Sequence, residues 1–182
     1  MKRLLVLSFI GKDRPGLVSD ISAVIKQNQG NWMESRLARL AGKFAGILQI
    51  SIAGENITAL EKALQNLSGE NLAWLLEHAE DSNASDAQDT SHLTLELVGN
   101  DRPGIVHDVT QLLAAMGLNV EELTTEFSDA PMSSDKLFRA TIEVSGPVSI
   151  KAGKVQETLE TLANELMIEI QDGAQGAIRS KA

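Results

Sequence analysis

Two stretches of alternating apolar and polar residues set the reading of this chain. In "HLTLELV", Leu93, Leu95 and Leu97 alternate with His92, Thr94 and Glu96, the period-two pattern of a strand with one wet face. "RLLVLSFI" near the start also reads as a strand, but it is apolar on both sides. After each strand the period changes to that of a helix. Leu17, Ile21, Val24 and Ile25 fall on one face, as do Ile105, Val109, Leu112, Leu113 and Met116 further on. Gly30 and Gly117 follow these helices, where a C-terminal cap belongs. Strands come next: Leu48, Ile50 and Ile52 alternate with Gln49 and Ser51, and Phe138, Ala140, Ile142 and Val144 alternate with Arg139, Thr141 and Glu143. A second helix is expected at Ile57, Leu60, Leu64 and Leu67, matched by Val155, Leu159 and Leu162. Short strands near Leu72–Leu76 and Leu166–Ile170 close each series.

The series is therefore βαββαβ, written twice. "GKDRPGLVSDIS" at Gly11–Ser22 returns as "GNDRPGIVHDVT" at Gly99–Thr110, an offset of 88. Aligning "GNWME" with "GLNVE" lowers the offset to 87, and "FAGILQI" against "FRATIEV" raises it to 94. That places an insertion of seven residues near "SDAPMSS". The expected fold class is α+β: two ferredoxin-like βαββαβ domains, each an antiparallel sheet with two helices on one face. The expected boundaries are a first domain at 1–80, a linker at 81–90, a second domain at 91–173 and a loose tail at 174–182. Because "LLVLSF" is apolar on both sides, the open face of the first sheet is expected to pack against the second domain or another subunit.

Composition narrows the classes. The 182 residues contain no cysteine, which removes disulfides, thiol chemistry and Cys-based zinc sites. The opening "MKRLLVLSFIG" is too short for a membrane span and lacks a small-residue cleavage site, so a cytoplasmic protein is expected. The net charge of −9 is uneven: 9 Lys/Arg face 8 Asp/Glu in residues 1–80, but 7 face 17 in residues 81–182. A surface this acidic is repelled by phosphate backbones, and Arg36, Arg39 and Lys43 read as solvated hairpin positions.

The repeated "DRPG" sits where a strand gives way to a helix. Pro15 and Pro103 suit a first helical turn, and Asp13 or Asp101 can cap it. Gly16 and Gly104 allow close approach of a backbone or ligand. The N–H groups of Gly16, Leu17 and Val18 lack partners within the helix and suit a carboxylate. An amino acid would also need an acceptor for its ammonium, which Asp13, Asp101 or loop carbonyls could supply. The plainer alternative is that D-x-P-G is only favourable turn chemistry.

Two βαββαβ units that each open with "G-x-D-R-P-G-[IL]-V" resemble ACT domains, small regulatory modules that bind amino acids or related metabolites. Within that family, the front of the chain resembles free-standing tandem co-repressors of glycine cleavage genes. The resemblance implies a response to glycine and restraint of a LysR-type activator by protein contact, without contact to DNA. It implies ligand loops at Asp13, Arg14, Pro15, Gly16, Leu17 and Val18 and at Asp101, Arg102, Pro103, Gly104, Ile105 and Val106; a homo-oligomer is expected from the uncovered sheet face, and no cofactor is expected. A ligand-free tandem scaffold is an alternative. So is kinship with formyltetrahydrofolate deformylase, whose hydrolase domain follows a similar unit; here the second repeat occupies the rest of the chain.

Other candidates are weak. His78, His92 and His107 have no metal-ligand spacing, so no metal site is expected. Ser19, His107 and Asp108 do not make a triad, since Ser19 and His107 are equivalent positions of the two repeats; no catalytic residues and no enzyme activity are expected. Trp32 and Trp74 read as core or interface anchors. The insertion around Pro131 and Met132 reads as a plain loop or a partner-contact arm.

Overall fold

The computed structural model describes residues 1–68, 72–79, 90–129, 136–162 and 166–172. The expected linker, apart from Thr90, and the expected tail lie outside them, as do Pro131 and Met132. The chain divides into two compact units, Met1–Ser82 and Asn83–Ala182. The first contains β1 (Lys2–Lys12), α1 (Leu17–Gln27), β2 (Asn31–Leu40), β3 (Lys43–Ala53), α2 (Ile57–Ser68) and β4 (Leu72–His78). The second contains β5 (Thr90–Asn100), α3 (Ile105–Ala115), β6 (Asn119–Asp129), β7 (Lys136–Pro147), α4 (Ala152–Leu162) and β8 (Leu166–Asp172). The sheets are antiparallel with orders β2-β3-β1-β4 and β6-β7-β5-β8, so both units are ferredoxin-like βαββαβ folds.

One face of each sheet carries the core. Leu5, Leu7 and Phe9 of β1 and Leu48, Ile50 and Ile52 of β3 pack with Leu17, Ile21 and Ile25 of α1 and Leu60 and Leu64 of α2. Leu93, Leu95 and Leu97 pack in the same way with Ile105, Val109, Leu113, Val155 and Leu159. Each such side chain contributes about 1.5–3 kcal/mol by leaving water, which outweighs the helix propensity of any one residue. Trp32 and Trp74 lie partly buried against the first core.

The registers revise the alignment between the repeats. Asn31 pairs with Ser51 and Asn119 with Ser145, so the offset stays at 88 through the second strand rather than falling to 87. The whole change to 94 falls in the hairpin, which makes the insertion six residues, not seven. The first unit closes this hairpin with Ala41 and Gly42, both at positive φ, as in a type I′ turn.

The same shift corrects the helix caps. The left-handed position after α1 is Gln29 (φ 59°), and its counterpart is Gly117 (φ 77°). Gln29 N–H donates to Lys26 O and Gly30 N–H to Ile25 O, while Gly117 and Leu118 repeat those bonds to Ala114 and Leu113. This is a Schellman motif in both units. Gly30 is needed for space instead: a Cβ there would lie 2.9 Å from Ile25 Cγ2 and 3.2 Å from Ile50 Cγ2. The second unit has buried Leu118 at that position and Gly146 where the first has Ile52, and a Cβ on Gly146 would lie 2.6 Å from Leu118 Cδ2.

The open faces differ. In the first sheet Leu4, Ile10, Ile47 and Leu75 are 40%, 50%, 50% and 54% exposed. In the second, His92, Glu96, Arg139, Thr141, Glu143 and Glu169 are exposed, as the alternation of "HLTLELV" predicts.

Candidate functional site

In the first unit the DRPG loop runs from the end of β1 to the start of α1. Asp13 N–H donates to Gly42 O at 3.0 Å, which fastens the loop to the hairpin turn. Pro15 and Gly16 then form a turn, with Gly16 at φ 85°, ψ −5° and Leu17 N–H directed back to Arg14 O at 3.4 Å. A proline followed by a glycine at these angles is the central pair of a type II turn. Pro15 therefore precedes the helix instead of standing in its first turn. Gly16 is the N-cap, and its carbonyl accepts from Asp20 N–H at 2.8 Å.

No side chain caps α1, so the expected role of Asp13 as a cap is corrected. Its carboxylate is engaged elsewhere: Arg39 Nε donates to Asp13 Oδ2 at 2.7 Å. The glycine is required here for its positive φ, since the nearest protein atom to a Cβ at Gly16 would be Arg14 Nη1 at 3.9 Å. Arg14 turns over the loop and donates to Asp20 Oδ2 at 2.6 Å. Asp13, Arg14, Gly16, Leu17, Val18, Ser19 and Phe44 together line a cavity of about 260 Å³. Leu17 is buried and Val18 exposed at its edge.

The second loop repeats the backbone. Asp101 N–H donates to Lys136 O at 2.9 Å, Pro103 precedes Gly104 at φ 86°, ψ −1°, and Asp108 N–H donates to Gly104 O at 2.9 Å. No side chain caps α3, so Asp101 is not a cap either. Arg102 pairs with Asp108 at 2.7 Å, as Arg14 does with Asp20. A Cβ on Gly104 would meet nothing within 4 Å. Ile105 is buried, and with exposed Val106 it lines a void of only about 10 Å³. The position equivalent to Arg39 is Phe127, which stands opposite Phe138 and packs edge-on against it at 5.7 Å.

Arg39, Phe44 and Ser19 are thus site residues that sequence reasoning did not select. Arg39 arrives through the tight hairpin, which sequence shows only as a basic cluster. Asp20 and Asp108 had a visible signal, since both repeats carry an aspartate six residues after the loop arginine. Away from the loops, Glu121 accepts from Ser145 Oγ and Asn119 Nδ2, and with the charge of nearby His92 these bonds hold its carboxyl below the usual glutamate range. Among the described residues no group of three or more His, Asp or Glu could hold a metal ion, and no helix is long and apolar enough to cross a membrane.

The family model for the ACT domain matches residues 3–73. The chain is 26% identical over 174 residues to the glycine cleavage system transcriptional repressor of Escherichia coli (strain K12), covering 96% of this chain and 88% of that protein. The crystal structure of an unknown protein from Galdieria sulphuraria matches with a TM-score of 0.78 at 29% identity, over 96% of this chain and all of that one. A crystal structure of a protein proposed to be a glycine cleavage system transcriptional repressor has the same fold, with a TM-score of 0.68 at 19% identity over 95% of this chain and 99% of that one. The ACT-domain match covers most of the first unit, and the chain, with two βαββαβ folds in tandem, resembles the glycine cleavage system transcriptional repressor.

Proposed function

We propose that this chain is a non-enzymatic regulatory protein that binds a small amino acid, glycine first among the candidates, at one or both of its DRPG loops, the first above all. In this reading it acts in the cytoplasm as a transcriptional co-repressor of glycine cleavage genes, through protein contact with a LysR-type activator. The observation that carries the reading is the cavity at the first loop. At about 260 Å³ it lies just below the roughly 300–1,000 Å³ of drug-sized pockets, which favours a small ligand. Its lining offers a carboxylate on Asp13 and an apolar floor from Leu17 and Phe44. The similarity to the Escherichia coli repressor along 96% of the chain supports the regulatory role.

The net charge of −9 favours a protein partner over nucleic acid. The apolar open face of the first sheet suits self-association, so the protein is proposed to be a homo-oligomer. Isothermal titration with glycine, serine and a wider amino-acid panel at millimolar levels tests the ligand. Heat with at least one member is expected, and none with any member contradicts the reading. Sedimentation of the protein mixed with a purified LysR-type activator, with and without the bound amino acid, tests the partner. A complex whose stability changes with ligand is expected.

A further inference from the structure

Arg39 comes to the first loop from β2, outside the motif. Its Nε holds Asp13 Oδ2 at 2.7 Å, yet its side chain is 72% exposed against 29% for Asp13. Its cross-strand partner is Phe44, and both Asp13 and Phe44 line the cavity. The ion pair therefore stands at the cavity's rim. An exposed pair of this kind holds little stability, because water screens both charges, so the arginine can leave Asp13 without unfolding anything.

A cation and an anion side by side at a small cavity match the two charges of a free amino acid. The ammonium suits the Asp13 carboxylate, and the α-carboxylate suits the guanidinium, whose planar fork donates to both carboxylate oxygens at once. One ion pair opens, two form, and the net charge of the site is unchanged by a zwitterion. We infer that Arg39 is a specificity-determining residue that selects amino acids with a free α-carboxylate, and that its pairing with Asp13 is the resting state which the ligand opens. The inference rests on the reading of the first loop as an amino-acid site. In the second unit the equivalent position holds Phe127, packed on Phe138, so that loop lacks this means of recognition.

The test is calorimetry with glycine, serine and leucine and with their carboxamides, on the wild type, Arg39→Gln and Arg39→Lys. Thermal melts accompany each variant to establish that it is folded. The wild type is expected to bind the acid of its preferred amino acid at least about ten-fold more tightly than the amide, the effect of one charge-assisted contact. Arg39→Gln is expected to lose about ten-fold or more for the acid and much less for the amide, and Arg39→Lys to recover part of the preference. An Arg39→Gln protein that keeps the wild-type affinity and preference, or loses acid and amide equally, overturns the role of Arg39 and leaves the site itself standing. A wild type that binds none of the acids overturns both.

Discussion

Position for position, the inner faces of the two sheets match, while the outer faces differ at most positions and agree at a few, such as Ile10 and Val98. Leu5, Leu7 and Phe9 correspond to Leu93, Leu95 and Leu97, all buried. On the open side, Leu4, Val6, Ile47 and Leu75 correspond to His92, Thr94, Thr141 and Glu169. In the loops the turn, the loop arginine and its aspartate recur because they build the turn, although they are exposed, while Arg39 is exchanged for Phe127. Burial constrains what a fold needs, and exposed positions are left to diverge toward separate tasks. The second unit has an acidic, water-facing sheet, and the first has an apolar sheet and a loop bracketed by opposite charges.

The two cores are equivalent, and a cavity in either should carry the largest effect. Leu7→Ala and Leu95→Ala each leave a cavity in a fully buried layer and should cost about 2–5 kcal/mol in their own unit by urea denaturation. A cost below about 1 kcal/mol in one unit alone would end the equivalence. Smaller effects are expected at the turns. Gly16→Ala and Gly104→Ala have open space for the methyl group but force a positive φ, a penalty of about 1–2 kcal/mol each. Equal losses support one shared turn geometry.

The open faces should differ in association more than in stability. Replacing Ile47 by Thr and Leu75 by Glu, the residue types of the second sheet, is expected to change folding stability by no more than about 0.5 kcal/mol. It should also shift the sedimentation of the proposed oligomer toward monomer, and unchanged sedimentation would count against that face as the contact.

The smallest effect concerns Glu121. A carboxylate whose folded-state pKa is depressed adds stability above its unfolded value, here about 4.5, and loses it as pH falls through the lower folded value. The second unit should therefore weaken slightly on acidification below that point, and Glu121→Gln should remove the increment. The first unit has Met33 at this position and no such response is expected from it. Equal acid responses of wild type and Glu121→Gln in denaturation at stepped pH would dismiss the bond network as its source.

The fold was legible in the sequence because its evidence is periodic. Alternation in "HLTLELV" and helical spacing from Leu17 to Ile25 reflect burial directly. Aligning Gly30 with Gly117 shifts the repeats by one residue, because the two serve different needs: Gly30 relieves a contact with Ile25 and Ile50, whereas Gly117 supplies a left-handed angle. One residue type served two physical needs, and sequence shows only the type. The site was half legible. "DRPG" announced a strand-to-helix turn, but the partner of Asp13 depends on where a two-residue hairpin brings Arg39, 26 positions away. A hairpin tip carries no periodic signal of what it touches.

The first loop is proposed as the amino-acid sensor, and the second is not its equal. Titration of the wild type, Asp13→Ala and Asp101→Ala with glycine and the amino-acid panel tests it directly. Heat is expected in the wild type, with its loss in Asp13→Ala and its retention in Asp101→Ala. Binding that survives Asp13→Ala and vanishes in Asp101→Ala would contradict it.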